Sequence, residues 1–167
     1  MRRLIDATRL PVRWAGLTLV LYLVLAGMVF FWLVPHSGGR LPLDVRFPTY
    51  SVGEASTYLQ LLPFYARDIY AGPVFWVDML FPPALGVTLA LWLKAWGVTL
   101  WRVGPLAYVL ADWSENFLVG RLLAGLPDLP SVELIQMASY ATLGKFVALV
   151  CTLALLLVTV LRERMND

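Results

Sequence analysis

The chain has 167 residues, 60% hydrophobic and only 14% charged, an apolar share well above that of a soluble domain. Its net charge is +2 and its basic residues stand at the ends of apolar runs, so they report membrane topology and argue against a nucleic-acid surface. The single cysteine, Cys151, excludes an internal disulfide and a Cys-x-x-Cys motif, and the single histidine, His36, excludes His-based metal clusters and a Ser-His triad within the chain.

With a mean hydropathy of +0.74, this length accommodates one domain of about four membrane spans plus one sizeable loop. The expected fold is all-α: a polytopic membrane four-helix bundle with a short extracytoplasmic helical cap, forming a single membrane domain over residues 1–167. The expected spans cover about residues 12–34, 72–96, 100–123 and 132–161, and the cap loop covers 35–71.

In the first span, Arg2, Arg3, Arg9 and Arg13 precede the apolar run as they would in a signal peptide. The run from Trp14 to Val34, at about 20 residues, is longer than a typical signal core, and Pro35-His36-Ser37-Gly38-Gly39 is not a small-x-small cleavage site, so a retained anchor helix is expected. Trp14 and Trp32 fit interfacial belts.

In the loop, Pro35, Gly38, Gly39, Pro42 and Pro48 break regular structure. Ser51-Val52-Gly53-Glu54 then matches a capping box, which predicts a short amphipathic helix using Tyr58, Leu59, Leu61 and Leu62. Pro63 ends that helix or opens the next. Phe64, Tyr65 and Tyr70 suit an interface, so this segment is expected to lie as a helical cap on the membrane surface.

The second span contains Phe81-Pro82-Pro83, which should kink it and free carbonyls one turn earlier, near Asp78 and Met79. The sequence leaves open whether a helix beginning near Phe64 continues into this span. The third span ends at the turn Gly125-Leu126-Pro127-Asp128-Leu129-Pro130. Ser131-Val132-Glu133 opens the last helix, which ends in Arg162-Glu163-Arg164.

Orientation follows from the basic residues. With the N-terminus inside, Arg2, Arg3, Arg9, Arg13, Lys94, Arg102, Arg162 and Arg164 lie inside and Arg40, Arg46, Arg67 and Arg121 outside, eight against four. Both termini are therefore expected in the cytoplasm.

Polar residues then converge. Asp112, Glu115 and Asn116, spaced i, i+3, i+4, share a helix face with Tyr108 and Val119. Asp78 in the second span and Lys145 in the fourth fall at a similar depth. Ala138, Ala141, Lys145, Ala148 and Thr152 form a small and polar stripe, which marks a packed face. Trp113 lies off the Asp112 face and is expected to be lipid-facing or packed. Arg67 would stand about 16 Å from Asp78 along a continuous helix, and Arg121 at the rim.

Ionisable groups at membrane depth are costly and mark functional sites by default. Asp78, Asp112, Glu115 and Lys145 are the candidate catalytic groups. Asn116, Arg67, Tyr70, Tyr108 and Arg121 are the candidate ligand-binding groups. Two readings compete: a buried ion-pair network that holds helix register, and a water-accessible pocket opening to the outer leaflet. A carboxylate-only metal site would suit Mg²⁺, Ca²⁺ or Mn²⁺, but Lys145 is a sufficient counter-charge, so no metal or cofactor is expected.

Arg67-x-x-Tyr70, Asp78-x-x-Phe81-Pro82, Asp112-x-x-Glu115-Asn116 and the downstream Lys145 resemble the motifs of a group of small bacterial four-helix membrane proteins. The resemblance covers about residues 48–150. It implies the four-helix arrangement, a bacterial cytoplasmic (inner) membrane and a common site at these positions, and it brings no activity with it. The segment around Pro63 departs from that group's glycine-containing link.

Three functions fit the residues. The first is a membrane protein binding or acting on an amphipathic, lipid-like ligand, with Lys145 or Arg67 on an anionic headgroup and Asp112 or Glu115 as acid, base or cation ligand. The second is a proton- or cation-coupled transport or channel unit, which would require a homo-oligomer. The third is an accessory subunit with a purely structural charge network. Membrane lipids are the expected surroundings, and nucleic acid is not an expected partner.

Overall fold

A computed structural model describes residues 2–128 and 130–166. It is 82% helical, with no strand among the described residues. Helix α1 covers Arg2–Gly27 and runs on through a wide π-helical stretch, Met28–Leu33, to a last turn at Val34–His36. Gly38 and Gly39, at φ 70° and 77°, then turn the chain back. The Gly39 N–H bonds the Val34 carbonyl at 2.9 Å, so two residues free of a Cβ close the helix end.

A single 3₁₀ turn, Leu43–Val45, follows, and then α2, Val52–Gln60. The capping box read from Ser51 and Glu54 is formed: the Glu54 N–H donates to Ser51 Oγ at 3.2 Å and the Ser51 N–H to Glu54 Oε2 at 2.7 Å.

Pro63 stands just before the next helix, α3, which is continuous over Phe64–Ala95. It thus starts at Phe64 and not at residue 72. Its irregular turn is a π-helical stretch at Tyr70–Val74 around Pro73. Pro82 and Pro83, where a kink was expected, lie inside the uninterrupted helical stretch Phe75–Ala95. A proline removes one backbone donor, and a wider turn nearby absorbs the mismatch. Helix α4 is Val103–Ala124 and α5 is Val132–Asn166. Ser131 Oγ accepts the Leu134 N–H at 3.2 Å and caps α5.

Among the described residues, three helical stretches are long and apolar enough to cross a membrane: Arg9–His36, Phe64–Ala95 and Val132–Met165. Helix α4, 22 residues long, reaches about 33 Å at 1.5 Å per residue, but Asp112, Glu115, Asn116 and Arg121 lower its hydropathy.

α1 packs on α3, α3 on α4 and α4 on α5, while among the described residues no comparable packing joins α1 to α5. Small residues mark the close approaches. A side chain on Gly86 would run into Val109, and one on Gly104 into Thr152. Between α1 and α3, the Thr18 and Thr88 hydroxyls share a hydrogen bond of 2.8 Å. The main hydrophobic core gathers at one end of the long helices. There Val29 and Leu33, Ile69 and Val74, Val119 and Leu122, and Ile135 and Ala138 meet Leu43, Tyr50, Tyr58 and Leu59 of the connecting segment.

Candidate functional site

Just beneath that core lies a polar layer. The i, i+3, i+4 spacing on α4 puts Asp112, Glu115 and Asn116 on one buried face with Tyr108 and Val119. That face meets the stripe on α5 where Ala138, Thr142, Lys145 and Thr152 are buried.

Lys145 is the hub. Its ammonium pairs with Asp112 Oδ1 at 3.2 Å and with Glu115 Oε2. It also donates to the backbone carbonyl of Asp44 at 3.0 Å. An ammonium has three N–H donors, and three oxygens surround this one. The second oxygens are engaged as well: Thr142 Oγ1 donates to Glu115 Oε1 at 2.5 Å, and Asn116 Nδ2 to Asp112 Oδ2 at 3.4 Å. A buried pair of charges offsets its desolvation only when its remaining polar atoms find partners, and here each of the four carboxylate oxygens has one contact, that of Glu115 Oε2 being the ion pair alone.

Asp44 is absent from the sequence-derived site. It sits in the short turn Leu43–Val45, and its carboxylate accepts the Tyr70 hydroxyl at 2.5 Å. Tyr70 in turn accepts the Leu43 N–H at 3.2 Å. Tyr70 therefore acts through Asp44: it anchors the turn that delivers a fourth carboxylate to the layer. The only sequence signal was an acid between Leu43 and Val45 in a proline-rich loop, a position that carries no periodicity.

Asp78 differs from the other acids. It is 9% exposed and has no hydrogen-bond or ion-pair partner among the described residues. It faces a cavity of about 430 Å³ whose polar end is made by Asp44, Asp78, Tyr108, Asp112 and Lys145. The remaining wall is apolar or aromatic: Tyr22, Leu25 and Val29 of α1, Val45 of the Leu43–Val45 turn, Phe81 and Leu85 of α3, and Phe146 and Leu149 of α5. Both α1 and α5 thus line the cavity, although among the described residues they pack little on each other.

Two expected ligand groups lie elsewhere. Arg67 donates from Nη1 to the Leu126 carbonyl at 2.9 Å and from Nη2 to the Ala124 carbonyl at 3.5 Å, which satisfies the C-terminal end of α4. Arg121 is exposed in the last turn of α4 and does not line the cavity. Arg67 therefore faces the end of α4 and does not line the cavity, while the three donors of Lys145 already face oxygens.

Trp113 has a specific partner. Its indole N–H donates to the Met79 carbonyl at 3.1 Å, one of the carbonyls that the two prolines were expected to free. Outside the long helices, the backbone N–H and hydroxyl of Ser51 hold the Glu54 carboxyl below its ordinary value. Burial, and then the Asp44 charge, push the Tyr58 phenol well above its own. Among the described residues, no group of three histidine, cysteine or acidic side chains is disposed to hold a metal ion.

Comparison with protein-family models, with curated proteins and with solved structures gives no match. The geometry of the site therefore carries the functional argument.

Proposed function

We propose that the chain is a small multi-pass protein of the bacterial cytoplasmic membrane that binds an amphipathic, lipid-like ligand in the cavity beside Asp78. In this reading α1, α3, α4 and α5 form a four-helix bundle with both termini in the cytoplasm, and residues 37–63 form its extracytoplasmic cap. The observation that carries it is a largely apolar cavity that ends on a buried carboxyl with no partner. Sites for small amphiphiles have this form, with an apolar wall and a few convergent polar groups.

The position of the cavity agrees. It is lined by both α1 and α5, which pack little on each other among the described residues, so an amphiphile would reach it sideways from the bilayer without crossing the cap. From Lys94 to Asp78 is about 24 Å along α3. With Lys94 at the inner boundary of a core about 30 Å thick, Asp78 lies just below the outer boundary. Phe81, Leu85 and Leu149 then extend the apolar wall towards the bilayer midplane. A lipid of the outer leaflet has this polarity, head outward and chain inward.

The saturated hydrogen bonding of Lys145 favours a structural role for the Lys145–Asp112–Glu115 cluster, as the clamp between α4 and α5. Contact with the ligand falls to Asp78, Tyr108 and the side chain of Asp44.

The test is the lipid content of the purified chain. Native mass spectrometry of the wild type should show a retained amphiphile. Leu149→Trp, which fills the apolar end, should lose it while keeping the helical circular dichroism of the wild type. Absence of any amphiphile from the wild type, or its retention in a folded Leu149→Trp variant, overturns the proposal.

A further inference from the structure

We infer that the head of the ligand is a cation, an alkylammonium or quaternary ammonium group held by Asp78. The inference rests on the cavity reading above and names the chemistry of its polar end.

Charge is the first argument. Four carboxylates, those of Asp44, Asp78, Asp112 and Glu115, surround the single ammonium of Lys145. That ammonium is consumed by Asp112, Glu115 and the Asp44 backbone carbonyl. The Asp44 carboxylate has the Tyr70 hydroxyl. Asp78 makes neither a hydrogen bond nor an ion-pair contact among the described residues, although it is nine-tenths buried and faces the cavity. No arginine, histidine or second lysine lines that cavity. A buried carboxylate without compensation is strongly disfavoured and takes up a proton unless a cation reaches it; a cation in the cavity would be that partner.

Aromatic rings are the second argument, independent of the first. Tyr22, Phe81, Tyr108 and Phe146 line the same cavity. The Tyr22 and Phe81 rings meet at 5.9 Å, tilted by 45°, and the Phe146 ring already lies 5.4 Å from the Lys145 ammonium. Carboxylate and aromatic faces around one space are the recognition chemistry of organic ammonium ions, because the ring quadrupole attracts the poorly hydrated cation. An anionic head would meet the carboxyl groups of Asp44, Asp78 and Asp112 and a lysine whose three donors already face oxygens. A neutral hydroxyl would offer Asp78 one hydrogen bond and the aromatic faces no charge.

The test uses three single-chain amphiphiles of equal length: dodecyltrimethylammonium, dodecanol and dodecanoate. Binding to the full chain in lipid nanodiscs is measured against empty nanodiscs. The cation should bind at least about tenfold more tightly than dodecanol, a difference of about 1.4 kcal/mol, and dodecanoate should bind more weakly than either. Asp78→Asn, which keeps the side-chain shape, should remove the preference for the cation over dodecanol. If dodecanol or dodecanoate binds as tightly as the cation to the wild type, the head is not a cation, and the cavity reading stands without this inference. If none of the three binds above the empty-nanodisc level, both readings fall. The wild-type comparison decides the question even if Asp78→Asn does not fold.

Discussion

The indole N–H of Trp113 on α4 donates to the carbonyl of Met79 on α3 across 3.1 Å. In a regular helix that carbonyl would accept the N–H of the residue four positions later. That residue is Pro83, which has none. One helix thus exposes an acceptor and its neighbour supplies the donor, and the bond ties α3 to α4 beside the cavity.

Trp113→Phe should therefore destabilise the protein by about 1 kcal/mol, the net value of one such bond. In a Pro83→Ala background the backbone N–H returns and the same substitution should cost less, the two sites coupling by about 0.5 kcal/mol or more. Reversible unfolding in mixed micelles measures all four members of the cycle. Strict additivity would mean that the Trp113 bond does not serve the carbonyl that Pro83 leaves open.

Lys145→Met keeps the volume of the side chain and removes its charge. Asp112 and Glu115 would then lie buried without a counter-ion, which should cost about 3–5 kcal/mol. Adding Asp112→Asn and Glu115→Gln removes the stranded charges and should recover most of that loss. A Lys145→Met protein as stable as the wild type, by the same unfolding measurement, would show that the cluster does not clamp α4 to α5.

The capping box of α2 predicts a pH dependence. Ser51 holds the folded-state value of Glu54 below its ordinary value. A depressed carboxyl contributes stability that is complete above the unfolded value and is lost as the pH falls through the folded one. Glu54→Gln preserves the hydrogen-bonding shape and cannot titrate. The wild type should therefore be the more stable of the two near neutrality, and the gap should close on acidification. Thermal unfolding of both proteins across that range checks the sign, and a gap that widens towards low pH contradicts the assignment.

Local chemistry was legible where one residue's physics acts on its own neighbourhood. Ser51 and Glu54 specify a helix start because both partners lie within a single turn. Pro63 stands before a helix because its fixed φ and missing N–H suit that position. Asp112, Glu115 and Asn116 share a face because helical periodicity puts them there.

What periodicity does not carry is the destination of a side chain outside its own helix. Asp44 lies in an irregular turn, and only the folding of the connecting segment onto the helix ends brings it beside Lys145. Arg67 was placed at the mouth of the site by its position along α3, but its guanidinium turns to the carbonyls that end α4. Trp113 lay off the polar face, and its partner was set by a proline in another helix.

The sequence by itself determined an apolar, helical chain with its starts and stops, the anomalous polar face of one helix, and the carbonyls its prolines would free. Each of these depends on spacing within a few turns. The tertiary structure alone decided which charges are spent on one another and which is left over. Lys145 has three donors and finds three oxygens, so Asp112 and Glu115 are consumed, while Asp78, on another helix, is left facing a cavity. That division depends on distances between segments far apart in the chain, and no local pattern encodes them.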